Sequence, residues 1–79
     1  MKELDYINEI AVIIGTEYMN YEDSTDKASR SAYDEIKARM YEVIDQYFEE
    51  GKITQSGHDS LCVALEDVHT KYCSRALYR

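Results

Sequence analysis

From Tyr33 to Phe48 the apolar side chains keep helical time. Tyr33, Ile36, Met40, Val43 and Tyr47 recur at intervals of 3, 4, 3 and 4, with Ile44 and Phe48 widening the stripe. At 3.6 residues per turn these positions share one face. The stretch holds no glycine, and the 79-residue chain holds no proline, so neither common helix breaker interrupts the pattern. The spacing predicts an amphipathic helix over residues 27–50, a rod about 34 Å long at about 1.5 Å per residue. Ser24, Thr25 or Asp26 is placed to cap its N-terminus. Gly51 is placed to take the left-handed position just past its C-terminus.

Two further segments follow the same logic. In residues 3–20, Leu4, Ile7, Ala11, Ile14 and Tyr18 again step 3, 4, 3, 4. The run Ile10, Ala11, Val12, Ile13, Ile14 is rich in β-branched residues and stops at Gly15, which is also how a short strand looks. The greater length of the helical pattern favours helix, although Gly15 costs about 1 kcal/mol relative to alanine. In residues 55–77, Leu61, Leu65, Val68, Tyr72 and Ala76 form a third stripe, with Thr54 or Ser56 as cap and Ile53 as the hydrophobic staple beside it. Lys71, Arg75 and Arg79 fall near the negative end of that helix. Glu50-Gly51-Lys52-Ile53-Thr54 between two amphipathic patterns reads as the turn of a helical hairpin.

The fold expected is therefore all-α: a small three-helix bundle in a single acidic domain spanning residues 1–79. A core this small yields only a few kcal/mol of net stability. Completion by homodimerisation is one way for such a chain to bury more surface. Cys62 and Cys73 are too few for a disulfide framework. On one helix they stand about 16 Å apart, beyond the reach of a disulfide, so free thiols are expected.

Charge narrows the functional classes. Nine basic against 16 acidic side chains give a net charge of −7. The imbalance is local: residues 1–50 hold 5 basic and 13 acidic side chains, whereas residues 51–79 hold 4 and 3. Direct grip on nucleic acid phosphates needs clustered Lys and Arg and is not expected. Anionic membrane surfaces repel such a chain. No apolar run approaches the roughly 20 residues of a membrane span. Acids at Glu3 and Asp5 do not suit a secretory leader, and a cytoplasmic location is the natural expectation.

Four acids of the second segment, Glu35, Glu42, Asp45 and Glu49, fall within roughly 80° at 100° per residue, opposite the apolar stripe. Any amphipathic helix has a solvated outer face, but a rigid row of carboxylates also complements a basic groove. On the first segment, Tyr6 and Ile13 are expected to project away from the inward stripe, with Val12 at the flank. An apolar pair rimmed by charge suits a partner contact. Of eight tyrosines, Tyr18, Tyr33, Tyr47 and Tyr72 sit on core stripes. Tyr6, Tyr21, Tyr41 and Tyr78 are left for contact.

Two His/Cys pairs, His58 with Cys62 and His69 with Cys73, share i, i+4 spacing. They lie about 16 Å apart, so one helix cannot close a four-ligand zinc site from both. A metal site would need a second helix or a second subunit, and the other two segments offer no His or Cys; packing is the expected role, with a zinc-dependent helical module as the third reading. No metal or other cofactor is expected. No phosphate loop, GxSxG or HExxH motif is present, and no catalytic residue is expected.

Short, acidic, proline-free and tyrosine-rich, the chain resembles in composition small phage-encoded inhibitors, some anti-CRISPR proteins among them; the resemblance covers no motif. The expected function is that of a non-enzymatic acidic binder occupying a basic nucleic-acid-binding surface of a larger protein, as a DNA mimic does. Glu35, Glu42, Asp45 and Glu49 supply charge in this reading, and Tyr6, Ile13 and Tyr41 add contact. The alternative is a homodimeric helical adaptor with an apolar interface.

Overall fold

The computed structural model describes residues 2–76 as three helices: α1 (Glu3–Asp23), α2 (Arg30–Glu49) and α3 (Gln55–Cys73). Among the described residues there is no strand ladder, and no helix is long and apolar enough to cross a membrane. The β-branched run at residues 10–14 is helical. As a strand it would present Ile10, Val12 and Ile14 together; as a helix it puts Ile10 and Ile14 inside and leaves Val12 66% exposed.

Each helix end has a local cause. At the start of α1 the Lys2 N–H donates to Asp5 Oδ2 (3.1 Å), and the Asp5 N–H to the Lys2 carbonyl (3.0 Å). α2 begins at Arg30, three residues later than the spacing predicts, and none of Ser24, Thr25 or Asp26 caps it. Ser29 does: its Oγ accepts the Ala32 N–H at 3.3 Å, while the Tyr21 hydroxyl holds the Ser29 N–H at 3.1 Å. Ser24 instead closes α1, donating to the Tyr21 carbonyl. Past α2, Gly51 takes φ +75°; its N–H reaches the Phe48 carbonyl and that of Lys52 the Tyr47 carbonyl. This is a Schellman turn, with glycine where a left-handed residue is required. Thr54 Oγ1 accepts the Gly57 N–H and starts α3. α3 ends at Cys73 rather than continuing to Leu77.

The connections make α1 and α3 parallel, with α2 running against both. Two cross-links between α1 and the α3 side join residues 51 apart, Glu3 to Thr54 at one end and Tyr18 to His69 further along. The Glu3 carboxylate accepts from both the N–H and the hydroxyl of Thr54, so the first turn of α1 also holds the start of α3. Gly57 is buried there, and a Cβ on it would stand only 2.7 Å from Glu3 Oε2, closer than contact allows. The core comprises Ile10, Ile14, Tyr18, Tyr33, Ile36, Met40, Ile44, Ile53, Leu61, Leu65 and Cys73. Tyr18 and Tyr33 stack near-parallel at 5.5 Å, and Tyr21 and Tyr72 close on Tyr33 from its sides.

α1 is turned by roughly 40° from its expected phase, at 100° per residue. Leu4 (64% exposed) and Ala11 face solvent, and Ile10 takes the inward place. The same rotation draws Tyr6 and Ile13 against the core and turns Val12 outward. Ile7, Ile14 and Tyr18 keep their expected inward places, and Ile10 and Tyr21 join them in place of Leu4 and Ala11 on the side that α2 and α3 cover.

Candidate interaction surface

The outer side of α2 carries Glu35, Glu42 and Glu49, all exposed. Seven residues are two turns less about 20°, so the three carboxylates form a nearly straight row, about 10.5 Å apart. None makes an ion pair or side-chain hydrogen bond among the described residues. Asp45, expected beside them, turns toward α3 and lies 2.7 Å from His58 Nε2. That hydrogen bond raises the pKa of His58. The charge of Asp45 is thus partly spent inside the α2–α3 seam, and the row keeps three of its four expected members.

The expected contact residues are engaged within the molecule. Tyr6 meets Tyr47 edge-on at 5.9 Å, with Lys52 Nζ 5.5 Å from its ring centroid. Ile13 is half-buried. The Tyr41 hydroxyl donates to Glu66 at 2.6 Å, and that bond pushes the phenol up to about 12. Tyr78 lies outside the described residues. The exposed apolar side chains are others: Leu4, Val12 and Met19 along α1, Phe48 on α2 and Val63 on α3. Leu4, Val12 and Met19 share the outer side of α1 with Asn8, Ala11 and Gly15, which makes an uncharged stripe. The acidic row continues toward α1 at a 430 Å³ groove lined by Glu17, Asn20, Tyr21, Glu35, Ile36 and Arg39. Arg39 reaches Glu17 at 3.6 Å across it.

The α2–α3 seam holds a second polar centre. His69 is 8% exposed, the buried polar side chain of the core. Its Nδ1 is 2.9 Å from the Tyr18 hydroxyl, its Nε2 is 3.0 Å from Asp34 Oδ1, and Cys73 Sγ stands 3.3 Å from Nε2. Burial raises the Tyr18 pKa well above its ordinary value, so the phenol stays a neutral hydroxyl. The other pair is arranged differently. Cys62 Sγ is 3.9 Å from His58 Nδ1, while Asp45 takes the opposite ring nitrogen. Burial also raises the Cys62 thiol. Asp34 carries no ligand signal within its own helix, where it is one more carboxylate among several. Its signal is positional: Asp34 and His69 lie equally far along the chain from the Gly51-Lys52 turn.

No family of known proteins, no curated protein and no solved structure matches this chain. Its functional reading rests on the chemistry of its own residues.

Proposed function

We propose that this protein is a non-enzymatic binder that occupies a basic nucleic-acid-binding surface of a larger protein, in the manner of a DNA mimic such as an anti-CRISPR or other anti-defence inhibitor. The observation that carries the reading is the row Glu35, Glu42 and Glu49: rigidly spaced, exposed and without a partner of its own. A spacing of about 10.5 Å matches about three phosphate steps of one strand projected on the duplex axis, at about 3.4 Å of rise each. Along the axis the row is thus threefold sparser in charge than one phosphate strand. It serves to steer and register the protein on a basic groove, while the net charge of −7 supplies the longer-range attraction.

Such binding is salt-sensitive. The Debye length is about 10 Å at 0.1 M, comparable to the spacing of the row, and about 3 Å at 1 M. The test is a pull-down from lysate at low and high salt, comparing the wild type with the triple variant Glu35→Lys, Glu42→Lys, Glu49→Lys. Each swap adds two charges, taking −7 to −1. Basic-groove proteins are expected with the wild type at low salt and lost in the variant, its helix content unchanged by circular dichroism. Equal recovery by the folded variant rejects the proposal.

A second reading, a homodimeric adaptor, draws support from the uncharged outer stripe of α1, with Val12 66% and Leu4 64% exposed. Sedimentation distinguishes it: Val12→Glu dissociates a dimer built on this stripe and leaves a monomer's mass unchanged.

A further inference from the structure

We propose that Asp34, His69 and Cys73 form a transition-metal site, best suited to zinc, that clamps the N-terminal part of α2 to the C-terminal part of α3. One ligand atom from each residue lies within 4.8 Å of the other two. The donors are an oxygen, an imidazole nitrogen and a sulfur, a set that suits zinc and neighbouring borderline metals rather than magnesium or calcium.

The distances fit a shared ion. Zinc bonds of about 2.0–2.1 Å to nitrogen, 2.0–2.2 Å to oxygen and 2.3 Å to sulfur place tetrahedral ligands about 3.4–3.6 Å apart. Asp34 Oδ1 and Cys73 Sγ stand 3.0 and 3.3 Å from His69 Nε2. These two edges fall within a few tenths of an ångström of that spacing, and the third, from Asp34 to Cys73, is within 4.8 Å. Sγ also lies 3.8 Å from Nδ1, so it leans over the ring, and ligation requires a rotation about the Cys73 side chain toward the Nε2 edge.

Support behind the ligands is in place. The Tyr18 hydroxyl at 2.9 Å from Nδ1 accepts its proton in the tautomer that presents Nε2 to metal. A second partner of this kind orients many metal-bound histidines. On the open side, a 290 Å³ pocket lined by Arg30, His69, Thr70, Cys73 and Ser74 leaves space for water or an outside donor at the fourth position. Asp34 and Cys73 as anions with a neutral imidazole balance a divalent cation, and binding releases the thiol proton to solvent.

The His58–Cys62 pair is the internal control. It has the same spacing along α3, and Asp59 Oδ1 (3.4 Å) and Cys62 Sγ (3.9 Å) both approach His58 Nδ1 while Asp45 holds Nε2, but among the described residues only Asp34, His69 and Cys73 bring three ligand atoms within 4.8 Å of one another.

The test is titration of the reduced, chelator-treated protein with cobalt(II), and competition by zinc. One equivalent is expected to give tetrahedral visible bands and a near-ultraviolet thiolate-to-cobalt band, both displaced by zinc. Cys62→Ser is expected to leave them unchanged, and Cys73→Ser to abolish the thiolate band. Asp34→Asn alters an exposed side chain and keeps the core, so it separates ligation from folding; cobalt affinity is expected to fall at least tenfold. Zinc is also expected to raise the melting temperature of the wild type in a concentration-dependent way. Absence of a thiolate band in the wild type overturns the proposal. So does binding that survives Cys73→Ser, or that is indifferent to Asp34→Asn.

Discussion

Tyr18 and Tyr33 stack at 5.5 Å, both fully buried, yet removing the same oxygen atom from each is expected to move stability in opposite directions. The Tyr18 hydroxyl is bonded to His69 Nδ1 at 2.9 Å. In Tyr18→Phe the aromatic packing survives, but a buried imidazole nitrogen loses its partner. Leaving such a group unsatisfied costs about 1–3 kcal/mol. The Tyr33 hydroxyl finds no protein partner, so the folded state already carries that desolvation cost. Tyr33→Phe releases about 1–3 kcal/mol of it and leaves a gap smaller than a methyl group, worth under about 1 kcal/mol. The net expectation is a gain of about 1 kcal/mol.

Both variants are read by thermal and urea unfolding at neutral pH, followed by circular dichroism. For a domain of this size each kcal/mol moves the melting temperature by about 4–8 °C. Tyr33→Phe should therefore melt several degrees above the wild type and Tyr18→Phe several degrees below it. Equal losses in the two variants refute the reasoning, because they mean that the Tyr33 hydroxyl is satisfied in solution and that ring packing, not hydrogen bonding, sets the cost.

Three further expectations follow from single positions. A Cβ at Gly15 meets nothing within 4 Å, so Gly15→Ala should stabilise α1 by about 1 kcal/mol, whereas Gly51→Ala forces a side chain into φ +75° and should cost about 1–2 kcal/mol; urea midpoints that shift the same way for both contradict the assignments. The hydrogen bond to Asp45 raises the His58 pKa, so its contribution is fully present below its unfolded value, about 6.5, and fades as pH rises through the higher folded value. Asp45→Asn should flatten that slope and lower the His58 titration midpoint seen by NMR; an unchanged midpoint removes the pair from the α2–α3 seam. The Glu3 carboxyl is lowered by Thr54, its hydroxyl first, so its stabilisation is present above its ordinary pKa and lost as pH falls; Glu3→Gln should lessen the acid sensitivity of unfolding, and a steeper acid limb counts against it.

The parts of this fold legible in the sequence are those where a single answer satisfied every local rule. Gly51 could close α2 only by its left-handed backbone, and Thr54 followed at capping distance, so the α2–α3 hairpin was readable. α1 was different. Two apolar rows, one through Leu4 and Ala11 and one through Ile10 and Tyr6, both kept helical spacing, and nothing inside the segment ranks them. The choice is made by what α2 and α3 bring against it, notably Tyr47 at 5.9 Å from Tyr6, and that is tertiary. The cap at Ser29 was hidden for the same reason: Ser24, Thr25 and Asp26 are equally good cappers, and only the Tyr21 hydroxyl at the Ser29 N–H decides among them.

The same contrast governs the two polar features. A helical wheel finds the row Glu35, Glu42 and Glu49 because all three belong to one helix. It also placed Asp45 there, and was wrong about that residue's company because His58 reaches it from another helix. The Asp34–His69–Cys73 centre has one member on α2 and two on α3, so no single-helix pattern contains it. Reading the hairpin as a register does: Asp34 and His69, Lys37 and Glu66, and Asp45 and His58 are each equidistant from the Gly51-Lys52 turn, and each pair is in contact. An antiparallel pair joined by a tight turn folds the sequence back on itself at nearly equal rise per residue. The seam of α2 and α3 is therefore written in the chain as a sequence of matched polar pairs, acid against histidine at both ends and lysine against glutamate between. The unmatched acids of α2 are then those left facing solvent, which is why the row at 35, 42 and 49, rather than acidity in general, is the feature with charge to offer a partner.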